Sequence, residues 1–134
     1  MGKVTEIIGI GEQGGSKLAE AGIRSSQRLL TAGATAKGRQ ELAARTGIGT
    51  AQILTWVNHA DLFRIKGIGQ QYADLLEAAG VDTVPELAQR NAANLYHKLT
   101  SINEERKLVR KMPVLSQVEA WVAQAKELPR VVNY

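Results

Sequence analysis

One phrase punctuates the chain three times: Gly9-Ile10-Gly11, Gly47-Ile48-Gly49 and Gly67-Ile68-Gly69. Each copy precedes a stretch that reads as a helix. The first N–H groups of a helix have no intrahelical acceptor, and glycine keeps the approach to them clear of any Cβ. A turn of this kind either receives a phosphate at the helix start or lets two helices cross closely.

The phrase belongs to a longer repetition. Its first and third copies lie 58 positions apart (67 − 9). The same spacing lays Leu18-Ala19-Glu20-Ala21-Gly22-Ile23 on Leu76-Glu77-Ala78-Ala79-Gly80-Val81, and Leu29 on Leu87. Farther on, Gln52-Ile53-Leu54-Thr55-Trp56-Val57 matches Gln117-Val118-Glu119-Ala120-Trp121-Val122 at a spacing of 65 (121 − 56). Repetition at a fixed spacing reads as two copies of one unit, residues 1–58 and 59–128. The boundary falls in Asn58-His59-Ala60-Asp61, and 129–134 forms a C-terminal tail of uncertain structure.

Within each copy the pattern is helical. Tyr72, Ala73, Leu75, Leu76 and Ala79 recur at three- and four-residue steps. Gly80 ends that helix. Thr83 with Glu86 reads as a capping box for the next, and Pro85 fits its first turn. Asn91 caps a helix through Leu95 and Leu99. Ser101 with Glu104 predicts a further start, in a helix ending before Pro113. The last helix carries Val118, Trp121, Val122 and Ala125. In the first copy Ser25 or Ser26, Thr35 and Thr50 are the start signals. No sustained alternation predicts a strand. The expectation is an all-α chain of about ten short helices.

Composition narrows the function. The chain is 44% hydrophobic but only 4% aromatic, so its core is mostly Ala, Leu, Ile and Val. There is no cysteine, which excludes disulfides, thiolate metal sites and cysteine nucleophiles. No apolar run is long enough to span a membrane. The N-terminal stretch lacks the apolar segment of a secretory leader, so a cytoplasmic location is expected. Seventeen basic side chains against 13 acidic ones give a net charge of +4, which permits a polyanionic partner without requiring one.

The phrase Ile65-Lys66-Gly67-Ile68-Gly69, with Leu62 before it and Ala73, Leu76 and Gly80-Val81-Asp82-Thr83 after it, resembles the helix-hairpin-helix motif. Ile8-Gly9-Ile10-Gly11 with Leu18 and Gly22-Ile23 resembles it too, and Thr46-Gly47-Ile48-Gly49 with Ile53 is similar to a third copy. Met112-Pro113-Val114 before Val118 resembles a fourth that has lost both glycines. Gly80-Val81-Asp82-Thr83-Val84-Pro85-Glu86-Leu87 is also similar to the C-terminal domain of the RNA polymerase alpha subunit. Nearly the whole chain resembles a bacterial family of duplicated helix-hairpin-helix proteins. The resemblance implies two SAM-like helical units packed as a pseudo-symmetric body. Such hairpins occur in repair nucleases, DNA ligases and Holliday-junction proteins.

In that motif the N–H groups of the turn hold a phosphate and read no base, so binding is independent of sequence. The resemblance makes Gly67, Ile68 and Gly69, with Lys66 beside them, the first DNA phosphate-binding candidates. Gly47, Ile48 and Gly49, with the Thr50 hydroxyl, come second. Glu12 follows the first turn and would repel a phosphate, and Gln70-Gln71 stand where such hairpins often carry Lys or Arg. The competing reading is that the glycines serve helix crossing alone and the hairpins dock a protein partner.

Other constellations are weaker. Gly9, Gly11 and Gly14 spell the dinucleotide fingerprint, but Ile23 to Leu30 is not strand-like, and the position equivalent to Gly14 is Tyr72. Basic residues gather in Arg24, Arg28, Lys37, Arg39 and Arg45 and again in Lys98, Arg106, Lys107, Arg110 and Lys111. They form either a stripe beside the hairpins or a solvated face. His59 and His97 have no metal partner at ligand spacing. His59 and Asp61, two apart on a helix, point in different directions, and Trp56 and Trp121 sit in apolar faces as core residues. No catalytic set, cofactor or metal site is expected. The reading is a non-enzymatic module for non-specific DNA binding, or alternatively for protein–protein interaction.

Overall fold

The structure is a computed structural model that describes residues 2–7 and 9–134. Ile8, part of the first hairpin phrase, lies outside the described residues. Among the described residues a 3-10 turn at Val4–Glu6 is followed by eight α-helices: α1 (Gly11–Glu20), α2 (Ser26–Ala32), α3 (Ala36–Thr46), α4 (Thr50–Leu62), α5 (Gln70–Ala78), α6 (Val84–Ala88), α7 (Ala92–Arg106) and α8 (Leu115–Glu127). Among the described residues the only extended pairing is an isolated bridge between Lys3 and Ser25. No helix among the described residues is long and apolar enough to cross a membrane.

Packing divides the chain into two units. One holds residues 1–61 together with Arg130–Tyr134, and the other holds Leu62–Pro129. The division falls three residues beyond the boundary read at 58/59, and the expected tail joins the first unit. Val132 is buried there, Asn133 N–H donates to Ala34 O at 2.7 Å, and Arg39 Nη2 donates to Asn133 O at 2.8 Å. Arg39 Nη1 donates to Gly33 O at 2.8 Å, so this guanidinium is 5% exposed and serves the fold, not a solvated basic face.

Burial recurs at two constant sequence spacings. Val4, Ile7, Ile10, Leu18, Ile23 and Leu29 are buried, and so are Leu62, Ile65, Ile68, Leu76, Val81 and Leu87, each 58 positions later (62 − 4). Ile53, Trp56, Val57 and Ala60 are buried, as are Val118, Trp121, Val122 and Ala125, each 65 later (118 − 53). The helix ends match as well. Gly22 N–H donates to Ala19 O and Ile23 N–H to Leu18 O, and Gly80 N–H donates to Glu77 O and Val81 N–H to Leu76 O. Both pairs are Schellman ends, closed by glycines at φ +85° and +87°.

The start signals fare unequally. Ser25, Thr35 and Asn91 each accept the backbone N–H three residues on, at 3.0–3.1 Å. Thr83 does not: its hydroxyl donates to Glu86 Oε1 at 3.3 Å, and Glu86 Oε2 accepts the Asp82 N–H at 3.4 Å. The start expected at Ser101 is absent, because α7 runs unbroken from Ala92 to Arg106. Leu95 and Leu99 are buried on one face of α7, with Ile102 packed against the same core one turn later, so continuing the helix buries more than stopping it. That merger accounts in part for eight helices where about ten were expected.

Gly14 has a local explanation. A Cβ there would lie 3.3 Å from Trp56 Cη2 and 3.1 Å from Ile10 Cγ2. The third glycine of the dinucleotide-like spelling therefore makes room for an indole inside α1, with no strand before it. At the matching place in the second unit, Tyr72 stacks on Trp121 with ring centroids 5.3 Å apart and planes tilted at 51°.

Candidate nucleic-acid interface

The turn before α5 is built by a three-residue rhythm. Leu62, Ile65 and Ile68 are buried, and Ile65 N–H donates to Leu62 O and Ile68 N–H to Ile65 O, both at 3.1 Å. Anchoring every third residue leaves Lys66, Gly67 and Gly69 exposed. Ile68, one of the expected phosphate donors, is a correction: its N–H is committed to the turn and its side chain is 5% exposed. The N–H groups of Gly67 and Gly69 have no acceptor among the described residues.

The two glycines have different reasons to be there. Gly67 sits at φ +96°, and a Cβ on it would stand 3.2 Å from Trp121 Nε1. Backbone conformation and packing both require its glycine. Gly69 is extended at φ −104°, ψ −168°, a conformation open to any residue, and a Cβ there would meet nothing within 4 Å. Nothing inside the protein requires glycine at position 69. Its carbonyl accepts the Ala73 N–H at 2.9 Å, the first bond of α5.

Sequence reasoning missed the residue that holds this turn. Gln124 on α8 accepts the Lys66 N–H on Oε1 at 2.9 Å and turns Nε2 toward Lys66 O at 3.4 Å. A half-buried helical glutamine 58 positions away carries no local signal. Gln124→Ala is expected to lower stability by about 0.5–1.5 kcal/mol, the worth of one half-exposed hydrogen-bond pair. Gln124→Glu keeps the acceptor for the Lys66 N–H but loses the donor to Lys66 O, and should recover only part of that loss in a urea titration.

The turn before α4 is put together differently. Gly47 caps α3 in the left-handed region (φ +76°, ψ 7°) and donates to Ala43 O at 2.9 Å. Thr46 Oγ1 accepts the Ile48 N–H at 3.2 Å, so Ile48, like Ile68, is not an available donor. Gly49 repeats the case of Gly69: a Cβ there would meet nothing within 4 Å, and its φ lies outside the range that favours glycine. Thr50 opens α4 and is exposed. In the turn before α1, Gly9 and Gly11 both have positive φ, and exposed Glu12 follows in the first helical turn.

His59 and Asp61 are 3% and 0% exposed on α4, out of reach of a substrate in solvent. Trp56 and Trp121 are buried at 5% and 2%.

A family model described as "Domain of unknown function (DUF4332)" matches residues 8–128. The chain belongs to the DUF4332 family. No solved structure matches it. The match takes in all three Gly-Ile-Gly turns of this DUF4332 member and stops before residues 130–134, which complete its first unit.

Proposed function

We propose that the chain is a non-enzymatic module for sequence-independent DNA binding, built from two copies of a helix-hairpin-helix unit. The matched burial, matched helix ends and matched glycines at spacings of 58 and 65 support the duplication. The observation that carries the function is Gly69. Its backbone is ordinary, the space around it is open, and Ser, Asn or Asp would cap α5 better than glycine does. What glycine offers there is close approach to the N–H groups of Gly67 and Gly69 and of the first turn of α5. Lys66 supplies a positive charge beside them. Gly49 and Thr50 form a weaker counterpart in the first unit.

Gly69→Asp separates folding from binding. Aspartate is a strong N-cap, so the variant should be as stable as the parent or more stable, by up to about 1 kcal/mol. Its side chain would also block and repel a phosphate. Duplex DNA is expected to bind the parent with an affinity that falls steeply with salt, by about 0.9 in log–log slope per phosphate neutralised. Gly69→Asp should lose at least about tenfold, one strong contact in free-energy terms. An unchanged affinity in Gly69→Asp, or no parent binding at low salt, would sink the reading.

A second reading, docking of a protein partner, draws on Val114 and Leu115. These residues are 53% and 38% exposed at the place where the fourth hairpin phrase has lost its glycines. It is the reading left if no duplex binds.

A further inference from the structure

The corner between α1 and α2 and the corner between α5 and α6 share one backbone. The Schellman hydrogen bonds match, the closing glycines Gly22 and Gly80 match, and Leu29 N–H to Ser25 O (3.0 Å) matches Leu87 N–H to Thr83 O (3.1 Å). Their charges are opposite. Arg24 and Arg28 of the first unit stand where the second unit has Asp82 and Glu86 (24 + 58 and 28 + 58). Glu86 works within its own corner, accepting from Thr83 Oγ1 and the Asp82 N–H. The same corner therefore forms without arginine, and the fold does not explain Arg24 and Arg28.

Both arginines are exposed, and neither guanidinium has a hydrogen bond or ion pair among the described residues. With Gly22 and Ser25 they line an open cleft of about 590 Å³. One further cation comes close: Arg45 Nη2 donates to Ala21 O at 2.7 Å, beside Gly22. Ser25 Oγ already accepts the Arg28 N–H at 3.1 Å, which leaves its hydroxyl proton to donate. One acid lies on the neighbouring segment: the Glu6 carboxylate packs over Gly2, whose carbonyl accepts the Ser26 N–H.

We propose that this cleft is a phosphate-binding site and that its ligand is the phosphodiester backbone of nucleic acid. Guanidinium forks match phosphate oxygens in pairs, and two of them with a serine hydroxyl in one cleft present converging donors to a single anion. The site is separate from the Gly67–Gly69 turn and lies in the other unit. It depends on the nucleic-acid reading only for the identity of the ligand.

The test is the double variant Arg24→Asp/Arg28→Glu. It installs the second unit's own side chains on the matching backbone, and helical ellipticity and the thermal midpoint confirm that it folds. Titration with a labelled DNA duplex across a salt series should show at least about tenfold weaker binding at low salt. The log–log salt slope should be shallower by about two, one contact for each arginine. Arg24→Gln/Arg28→Gln should give the same direction with a smaller loss. Unchanged affinity and slope in the folded double variant overturn the proposal. If Gly69→Asp abolishes binding while the double variant binds normally, the cleft fails and the turn stands. If the double variant loses binding while Gly69→Asp does not, the cleft stands and the turn fails. Arginine-dependent binding to phosphatidylglycerol vesicles without binding to duplex overturns the nucleic-acid assignment, as does saturation by inorganic phosphate alone.

Discussion

Trp121→Ala is expected to leave the second unit at the edge of unfolding. The indole is 2% exposed, stacks on Tyr72 and turns its Nε1 toward Gly67, so one side chain joins α8, α5 and the turn. Truncating a buried tryptophan costs about 3–5 kcal/mol. A unit of roughly 70 residues has about 3–10 kcal/mol in all at typical densities of stability. Urea titration followed by far-ultraviolet ellipticity should show a large part of the helical signal lost at low denaturant. Trp56, the other tryptophan of the chain, reports on the first unit by fluorescence. Trp121→Phe, which keeps a ring against Tyr72, should recover more than half of the loss. A midpoint for Trp121→Ala within 1 kcal/mol of the parent (about the error of such a comparison) would mean that the turn is held by the Gln124 contacts and not by the indole.

Deleting residues 130–134 is expected to destabilise the first unit by about 3–6 kcal/mol. Burying a valine side chain contributes about 1.5–3 kcal/mol, and a charge-assisted hydrogen bond to a carbonyl about 1.5–3 kcal/mol. Val132 supplies the first and the pair Arg39–Asn133 the second. The Trp56 fluorescence transition should move to lower denaturant. Arg39→Met, which keeps the aliphatic stem but leaves Gly33 O and Asn133 O without their donor, should reproduce much of that shift. If the deletion moves nothing, the segment rests on the unit without supporting it.

Features that depend on near neighbours were legible in the sequence. A serine, threonine or asparagine cap acts on an N–H three residues away, and Ser25, Thr35 and Asn91 do so. Helical character followed from apolar periodicity. The local signal failed where distant packing outweighed it, as at Ser101, which is carried through by the buried face of α7. It also had nothing to offer for Gln124 and Lys66, 58 positions apart, or for Arg39 and Asn133, 94 apart, where the residue types are unremarkable and only the fold joins them. At the turn the phrase treated its residues alike, and the structure separates them. Ile68 has spent its N–H internally, Gly67 is required by its own conformation, and only Gly69 is left without an internal reason.

The return of residues 130–134 to the first unit sets an order of events during synthesis. A ribosome releases the N-terminal residues first, and N-terminal domains ordinarily fold first. Here the unit that emerges first lacks its last supporting segment until the whole second unit has been translated. At about 5–20 residues per second the intervening stretch of roughly 70 residues takes about 4–14 s. Through that interval Arg39 has Gly33 O but not Asn133 O, and the pocket that receives Val132 is open to other chains and to chaperones. The unit translated first is completed only after the second unit has been made.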